Sequence, residues 1–459
     1  MTISIIVAFS KNFGIGIHNA LPWNIPIDLK KFQQLTTNNV VVMGHKTWLS
    51  IPENKKPLKN RLNVVVTRSS LRSTNDVVYV LPDELDSFLQ KYTNIFIIGG
   101  SFLYKKYIGI ANCIYATVID KEYQCDTFFP TDQFHKYYIK EYSASHFSEE
   151  EQCNYRNIYY ELSNKQHGEF EYLNLMSNIL NNGNDRTDRT NTGTKSLFGK
   201  QISFDITKSI PLITTKFVGF KSIVKELLFF LKGKTDSKIL EKQGVSIWKE
   251  NTSREFLNSR GLDNYREGDM GPMYGFNWLH WNCNYLGCDH DYSNKGFNQI
   301  DALIHSLVYD PFSRRHLLTT YNPSEVDKSV LAPCHGLTVQ FYVEVINEQQ
   351  YLSCHMYQRS VDNFLGEPYN ITSYSVLTYI IAKICNMKPK ELIISMGDSH
   401  IYNNHIEQVK LQLSRSPLPF PILEINDSVL SKSIYDIEID DFNLIGYLYR
   451  PSIKAQMAV

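Results

Sequence analysis

The chain has 459 residues, too many for one ordinary hydrophobic core, so two domains are expected. Lysine plus arginine equals aspartate plus glutamate at 47 each, which leaves no net field to draw a polyanion, and nucleic acid is not expected as the main partner. Eight scattered cysteines in a chain that is 43% hydrophobic do not make the dense framework of a small secreted domain; they read as reduced thiols of a cytosol-like compartment. A strand-like run, residues 3–9, follows Met1 without a basic leader, and no apolar run approaches a membrane span, so a soluble cytoplasmic protein is expected.

In chain order, β-branched runs at 40–43, 62–67, 77–80, 95–98 and 113–119 are apolar on both faces, which suits a mostly parallel sheet covered by helices. Stretches 28–35, 82–92 and 101–107 have helical lengths, with Pro82 well placed at a helix start. This predicts an N-terminal α/β sandwich. Residues 145–157 read as a hairpin returning through 158–162, and 163–167 as a short linker, so the expected domains are 1–162 and 168–459. In the second domain, helices are predicted near 169–182, 218–232, 295–309, 369–386 and 402–412, and strands near 196–206, 315–321, 336–346 and 350–359. That mixture is α+β.

Asp28 follows Leu21 Pro22 Trp23 at a predicted helix start, where a carboxylate caps a helix or, in an apolar setting, binds a flat protonated heterocycle. Gly99 Gly100 before a helix-like segment is a turn or an anion cradle. The ordered series Ile6 Val7 Ala8, Gly14 Ile15 Gly16, Leu21 Pro22 Trp23, Asp28, Phe32, Met43 to Trp48, Ser50 Ile51 Pro52, residues 57–61, Ile97 to Ser101 and Asp126 to Pro130 resembles dihydrofolate reductase. The resemblance implies that Asp28, oriented by Thr117, holds the pteridine amino edge and assists protonation at N5. It implies further that Ala8, Phe32 and Ile51 contact the folate and that Arg61 grips its glutamate carboxylate. NADPH would be held by Gly16, Lys46, Thr47, Arg68, Ser69, Gly99, Gly100, Ser101 and Phe102. His45 stands where an arginine or lysine is expected.

Leu331 Ala332 Pro333 Cys334 His335 Gly336 runs into a strand, and Tyr357 Gln358 Arg359 Ser360 follows. A cysteine is nucleophilic as thiolate, which a nearby guanidinium favours. The pattern resembles thymidylate synthase and continues along the remaining chain. The resemblance implies that Cys334 attacks C6 of dUMP, that 5,10-methylenetetrahydrofolate is the cosubstrate, and that neither metal nor nicotinamide is needed there. Arg189, Arg314, Arg315, Arg359 and Ser360 would hold the phosphate, Asn370 the pyrimidine edge, and His400 and Tyr402 the ribose hydroxyl. Glu226, on an otherwise apolar helix, would move protons through water, with Tyr274 ordering that water. Trp248, Asp362 and the terminal Val459 would contact the folate.

Asn191, Val361 and Asn298 depart from the usual residues of that family, and the cluster Cys283, Cys288, His290 lacks a fourth spaced ligand, so no metal site is expected. A deoxycytidylate hydroxymethylase shares the second fold, but an amide at Asn370 suits uracil where those relatives use aspartate. A catalytically idle scaffold or RNA-binding regulator fits poorly with a full set of catalytic groups. The resemblance also implies a homodimer, with Arg314 and Arg315 reaching the phosphate of the neighbouring subunit.

Overall fold

The computed structural model of the chain describes residues 1–69, 71–187 and 192–456. It divides into two compact units, Met1–His167 with Ser416–Pro419, and Gly168–Arg415 with Phe420–Val459.

The first unit is built on one sheet. Its strands lie in the order His146–Ser148, Cys153–Leu162, Cys113–Ile119, Thr2–Ser10, Asn94–Gly99, Val40–Gly44, Leu62–Val66 and Val77–Val80, with Tyr137–Tyr142 also paired to Cys153–Leu162. From Cys113–Ile119 to Val77–Val80 every pairing is parallel, and antiparallel pairing begins at Cys153–Leu162. Val41, Val42, Met43, Val64 and Val65 are fully buried, as their β-branched, two-faced pattern requires in a sheet covered on both sides. Helices Pro26–Thr36 and Ser101–Tyr107 match expectation closely. The helix expected at 82–92 spans only Leu85–Leu89, because Pro82 to Glu84 closes a turn in which the Glu84 amide donates to the Leu81 carbonyl. The helix His45–Ser50 and the strand Tyr137–Tyr142 were not legible: each is too short to complete a periodic pattern.

In the second unit a six-stranded sheet runs Asn184–Arg186, Thr194–Asp205, Lys388–Tyr402, Gln349–Asp362, Thr338–Ile346, Leu317–Leu318. Its one parallel pair, Gln349–Asp362 with Lys388–Tyr402, is joined by the buried helix Glu367–Ile384. Lys388–Tyr402 is a 15-residue strand that the sequence pattern did not suggest; Ser395, Gly397, Asp398 and Ser399 interrupt its apolar run. It also displaces the last expected helix, which begins at Ile406 instead of near 402. Alternation along Thr338–Ile346 buries Val339, Phe341 and Val343 and leaves Tyr342 64% exposed. The helix Phe220–Leu231 buries Ile223, Val224, Leu227, Leu228 and Leu231 in the same core. Asn298 caps the helix Gln299–Tyr309 by accepting from the Asp301 amide at 3.1 Å, a task an asparagine performs as well as an aspartate. Among the described residues no helix is long and apolar enough to cross a membrane.

Candidate active sites

In the first unit the C-terminal ends of the parallel strands open into a cavity of about 1520 Å³. Of the residues singled out in sequence, Ala8, Gly16, Asp28, Phe32, Thr47, Ile51, Arg61, Gly99, Gly100 and Thr117 line it. Lys46, Arg68, Ser69, Ser101 and Phe102 do not line it and are exposed.

Asp28 lies in the first turn of its helix, after Pro26, and its Oδ1 accepts from the Thr117 hydroxyl at 2.5 Å. Burial pushes its carboxyl above the ordinary value, while the Thr117 hydroxyl and the Lys31 ammonium pull the other way. Burial in turn lowers Lys31. Thr117 Oγ1 also lies 3.0 Å from Asn157 Oδ1. Arg61 is held by Thr36 Oγ1 at 2.9 Å and the Lys59 carbonyl at 3.1 Å, with its guanidinium 5.8 Å from the Phe32 ring centre. A Cβ on Gly99 would meet Thr47 at 3.1 Å on a φ of +143°, so glycine alone lets this turn approach the helix His45–Ser50. That open backbone beside Thr47, in the cavity that Gly16 also lines, fits a nicotinamide dinucleotide; the adjacent Lys46 is exposed.

Cavity-lining residues that sequence reading passed over include Lys31, Tyr104 and Asn157. Lys31 was available from spacing, since it sits three residues after Asp28 on one helix. Tyr104 donates to the Ile6 carbonyl at 2.9 Å, and nothing in its helix pattern marks it apart from a core tyrosine.

In the second unit the half-buried Cys334 lies with its Sγ 3.5 Å from the Tyr274 hydroxyl, to which the Cys334 amide also donates at 3.3 Å. Its carbonyl accepts from the Arg359 amide at 2.8 Å, and the Arg359 guanidinium donates to the carbonyls of Pro333 and Ala332, each at 3.4 Å. The Arg359 charge favours the thiolate, as expected. Burial pushes the Cys334 thiol above its ordinary value, and the Tyr274 hydroxyl and Arg359 charge offset that only in part.

Glu226 accepts from the Trp248 indole at 2.7 Å, and burial pushes its carboxyl up to about 7. Tyr274 adopts φ +44°, a costly backbone for a bulky residue, and stacks on His335 with ring centres 4.4 Å apart. His335 approaches the Tyr374 hydroxyl at 2.9 Å, and burial pulls its imidazole down to about 3, so the ring is neutral. Asn370 donates to Gln358 Oε1 at 2.6 Å, and Gln358 Nε2 donates to Glu367, whose carboxyl burial pushes up to about 8. Asp362 accepts from the Phe364 and Leu365 amides at 2.8 and 3.2 Å. His400 Nδ1 lies 3.5 Å from Asp398, with its ring against Tyr402. The parallel strand pair carries Arg359, Ser360 and Asp362 alongside His400, since Asp362 and His400 are register partners.

Arg314 and Arg315 are exposed on the segment before Leu317–Leu318, and it is Arg359 whose charge is felt at Cys334. Arg189, Asn191 and Val459 lie outside the described residues. Val361 is buried in the core and Ser360 is half-buried. Among the described residues no group of three or more histidine, cysteine or acidic side chains is arranged to hold a metal ion.

Comparison with known proteins covers both units. A dihydrofolate reductase family model matches residues 2–162 and a thymidylate synthase model residues 170–459. A bifunctional dihydrofolate reductase-thymidylate synthase of Paramecium tetraurelia is 39% identical over 100% of this chain and 99% of its own length. The bifunctional enzyme of Zea mays is 38% identical over 99% and 96%, and that of Plasmodium chabaudi 34% over 97% and 94%. Matched by both models and end to end by fused relatives, the chain belongs to the bifunctional dihydrofolate reductase-thymidylate synthases, an oxidoreductase and a methyltransferase in one polypeptide.

Proposed function

We propose that Cys334 and Asp28 are the chemical centres of a two-step supply of thymidylate. dUMP is methylated in the second unit at the expense of 5,10-methylenetetrahydrofolate, and the dihydrofolate released is reduced in the first. The observation that carries this reading is the convergence on the Cys334 thiol of the Tyr274 hydroxyl, the Arg359 charge and, through its field, Glu226.

Cys334 Sγ adds to C6 of dUMP, and the electron pair of the C5–C6 bond moves toward C5 and O4. Arg359, which steadies the Cys334 loop through the Pro333 and Ala332 carbonyls, turns toward the nucleotide phosphate together with Ser360, Arg189, Arg314 and Arg315. Glu226, poised near neutrality, carries protons through water, and Tyr274 holds the water that receives the C5 proton. Asn370 reads the pyrimidine edge, His400 and Tyr402 meet the ribose, and Trp248, Asp362 and Val459 hold the folate. Methylenetetrahydrofolate supplies the one-carbon unit and the hydride.

In the reductase cavity NADPH supplies a hydride when bound. Gly16, Thr47, Gly99, Gly100, Ser101 and Phe102 hold it, with Lys46, Arg68 and Ser69 on its phosphates. Asp28, its carboxyl held above the ordinary value by burial and oriented by Thr117, directs a proton to N5 of dihydrofolate. Ala8, Phe32 and Ile51 flank the folate, and Arg61 meets its carboxylate.

The assembly is a homodimer through the synthase sheet. Leu317, Tyr342 and Tyr357 are 47%, 64% and 40% exposed, an apolar sheet face that a second copy would cover. Eight free cysteines fit a reducing, cytoplasmic setting. The hydroxymethylase and idle-scaffold readings are not favoured. Tritium release from 5-tritiated dUMP tests the synthase reading: release dependent on methylenetetrahydrofolate and absent in Cys334→Ser is expected, and release that persists in Cys334→Ser removes Cys334 as nucleophile.

A further inference from the structure

We propose that His405 is a positioning residue for the folate of the synthase: from behind Asp362 it anchors the C-terminal segment at Gln456, and so holds the stretch that carries Val459 to the cosubstrate. This rests on Asp362 and Val459 being folate contacts.

His405 is fully buried, just ahead of the helix Ile406–Leu413. Its Nε2 lies 2.7 Å from the Gln456 carbonyl oxygen, and its Nδ1 is buried without a hydrogen-bond partner, 3.8 Å from Asp362 Oδ2. The ring packs edge-on to Tyr402 and tilted against Phe364, with centres 5.7 and 5.4 Å away. Upstream, the same segment is fixed where the Arg450 amide donates to the Thr214 carbonyl at 2.8 Å and Arg415 Nη1 donates to the Pro451 carbonyl at 2.6 Å. Between the two holds, Ile453 and Ala455 pack against the core while Ser452 and Lys454 are exposed.

A carbonyl oxygen only accepts, so the contact at Gln456 requires the hydrogen on Nε2 of His405. A buried N–H without a partner is costly. Lifting the segment away would remove the one hydrogen bond that the described residues give this ring, and the docked segment is therefore the arrangement that satisfies it. Apolar packing by Ile453 and Ala455 is non-directional and sets depth alone, whereas a directed bond at Gln456 fixes how far along its groove the segment lies. On the other side of the ring, Asp362 Oδ1 accepts from the Phe364 and Leu365 amides, and Oδ2 is the oxygen left for a ligand. At 3.8 Å Nδ1 makes no hydrogen bond to that oxygen, so His405 backs the carboxylate without occupying it. One ring thus sets the spacing between the carboxylate that meets the folate and the segment that carries Val459.

The test uses the full-length enzyme carrying His405→Phe, which keeps a ring against Phe364 and Tyr402 and removes both nitrogens. The KM for methylenetetrahydrofolate should rise about three- to tenfold, as expected for one lost hydrogen bond, with kcat less affected. Binding of dUMP alone and the reductase rate should be unchanged. Trypsin cleavage after the exposed Lys454, followed by mass spectrometry as release of residues 455–459 in the presence of dUMP and folate, should be faster. His405→Gln offers an amide N–H near the place of Nε2 and should return most of both effects. A purely structural role would weaken dUMP and folate alike and leave His405→Gln no better than His405→Phe; that result overturns the proposal. A raised KM without faster cleavage, or faster cleavage with an unchanged KM, also overturns it, because anchoring and folate binding would then be separate. If Val459→Asp leaves the folate KM at its wild-type value, the reading on which the proposal stands fails instead. Should His405→Phe fail to fold, His405→Met also lacks the donor and is read the same way.

Discussion

Each unit buries one carboxyl in its candidate site, and burial raises both; what opposes burial differs. Asp28 lines an open cavity, takes a hydrogen bond from Thr117 and has the Lys31 ammonium one turn away. Glu226 sits on the helix Phe220–Leu231, whose apolar residues are buried in the core, and the Trp248 indole is the neighbour that favours its charge. At Glu226 burial outweighs the indole N–H, and the carboxyl reaches about 7. The contrast teaches that residue type does not set proton affinity in these sites; the neighbours that burial brings along do.

The largest expected effects break the comparison by removing one centre at a time. Cys334→Ser should abolish thymidylate formation, and Asp28→Asn should lower dihydrofolate reduction by about 100-fold or more at neutral pH, each leaving the other activity near normal. Separate assays of NADPH oxidation and tritium release check this, and joint loss in a folded variant would refute the division of labour.

Next in size is subunit complementation. Cys334→Ala chains and Arg315→Ala chains, each defective alone, should on random re-pairing give half mixed dimers with one intact site apiece, hence about a quarter of wild-type synthase activity. Absence of recovery after demonstrated exchange would mean that Arg315 serves its own chain.

Smaller effects sharpen the electrostatic contrast. A carboxyl raised to about 7 in the folded chain contributes stability at low pH that is lost as pH climbs from the ordinary carboxylate range through 7. Glu226→Gln should therefore raise the unfolding temperature more at pH 8 than at pH 5, by the equivalent of about 1–3 kcal/mol, in calorimetry at both values. An equal change at both pH values would show that Glu226 is not raised. In the reductase, Thr117→Val removes a hydrogen bond that lowers Asp28, so the acidic group in the pH profile of dihydrofolate reduction should move to higher pH. An unshifted profile would separate Thr117 from Asp28.

Much of this architecture is legible because local pattern and tertiary role coincide. Val40–Gly44 and Thr338–Ile346 are written as buried or alternating strands and fold as such. Lys388–Tyr402 escaped because polar residues near its end face the site and break the apolar run. Among site residues, Asp28 and Cys334 stand in recognisable local motifs, but Gln358 and Glu367 acquire meaning only when strand and helix meet. The burial of the Cys334 thiol was not legible for a related reason. Sequence displays arginines but not the water they displace.

The turn at Tyr274 has a mechanical consequence. Phe230 stands one helical turn beyond Glu226, and a Cβ on Gly275 would fall 2.1 Å from the Phe230 carbonyl oxygen. The backbone that presents the Tyr274 hydroxyl to Cys334 is thus seated directly on the helix that carries Glu226. Hydroxyl and carboxyl behave as two teeth of one gear: neither can be shifted to resize the pocket without carrying the other along. An engineer wishing to admit a bulkier pyrimidine must look to the opposite wall.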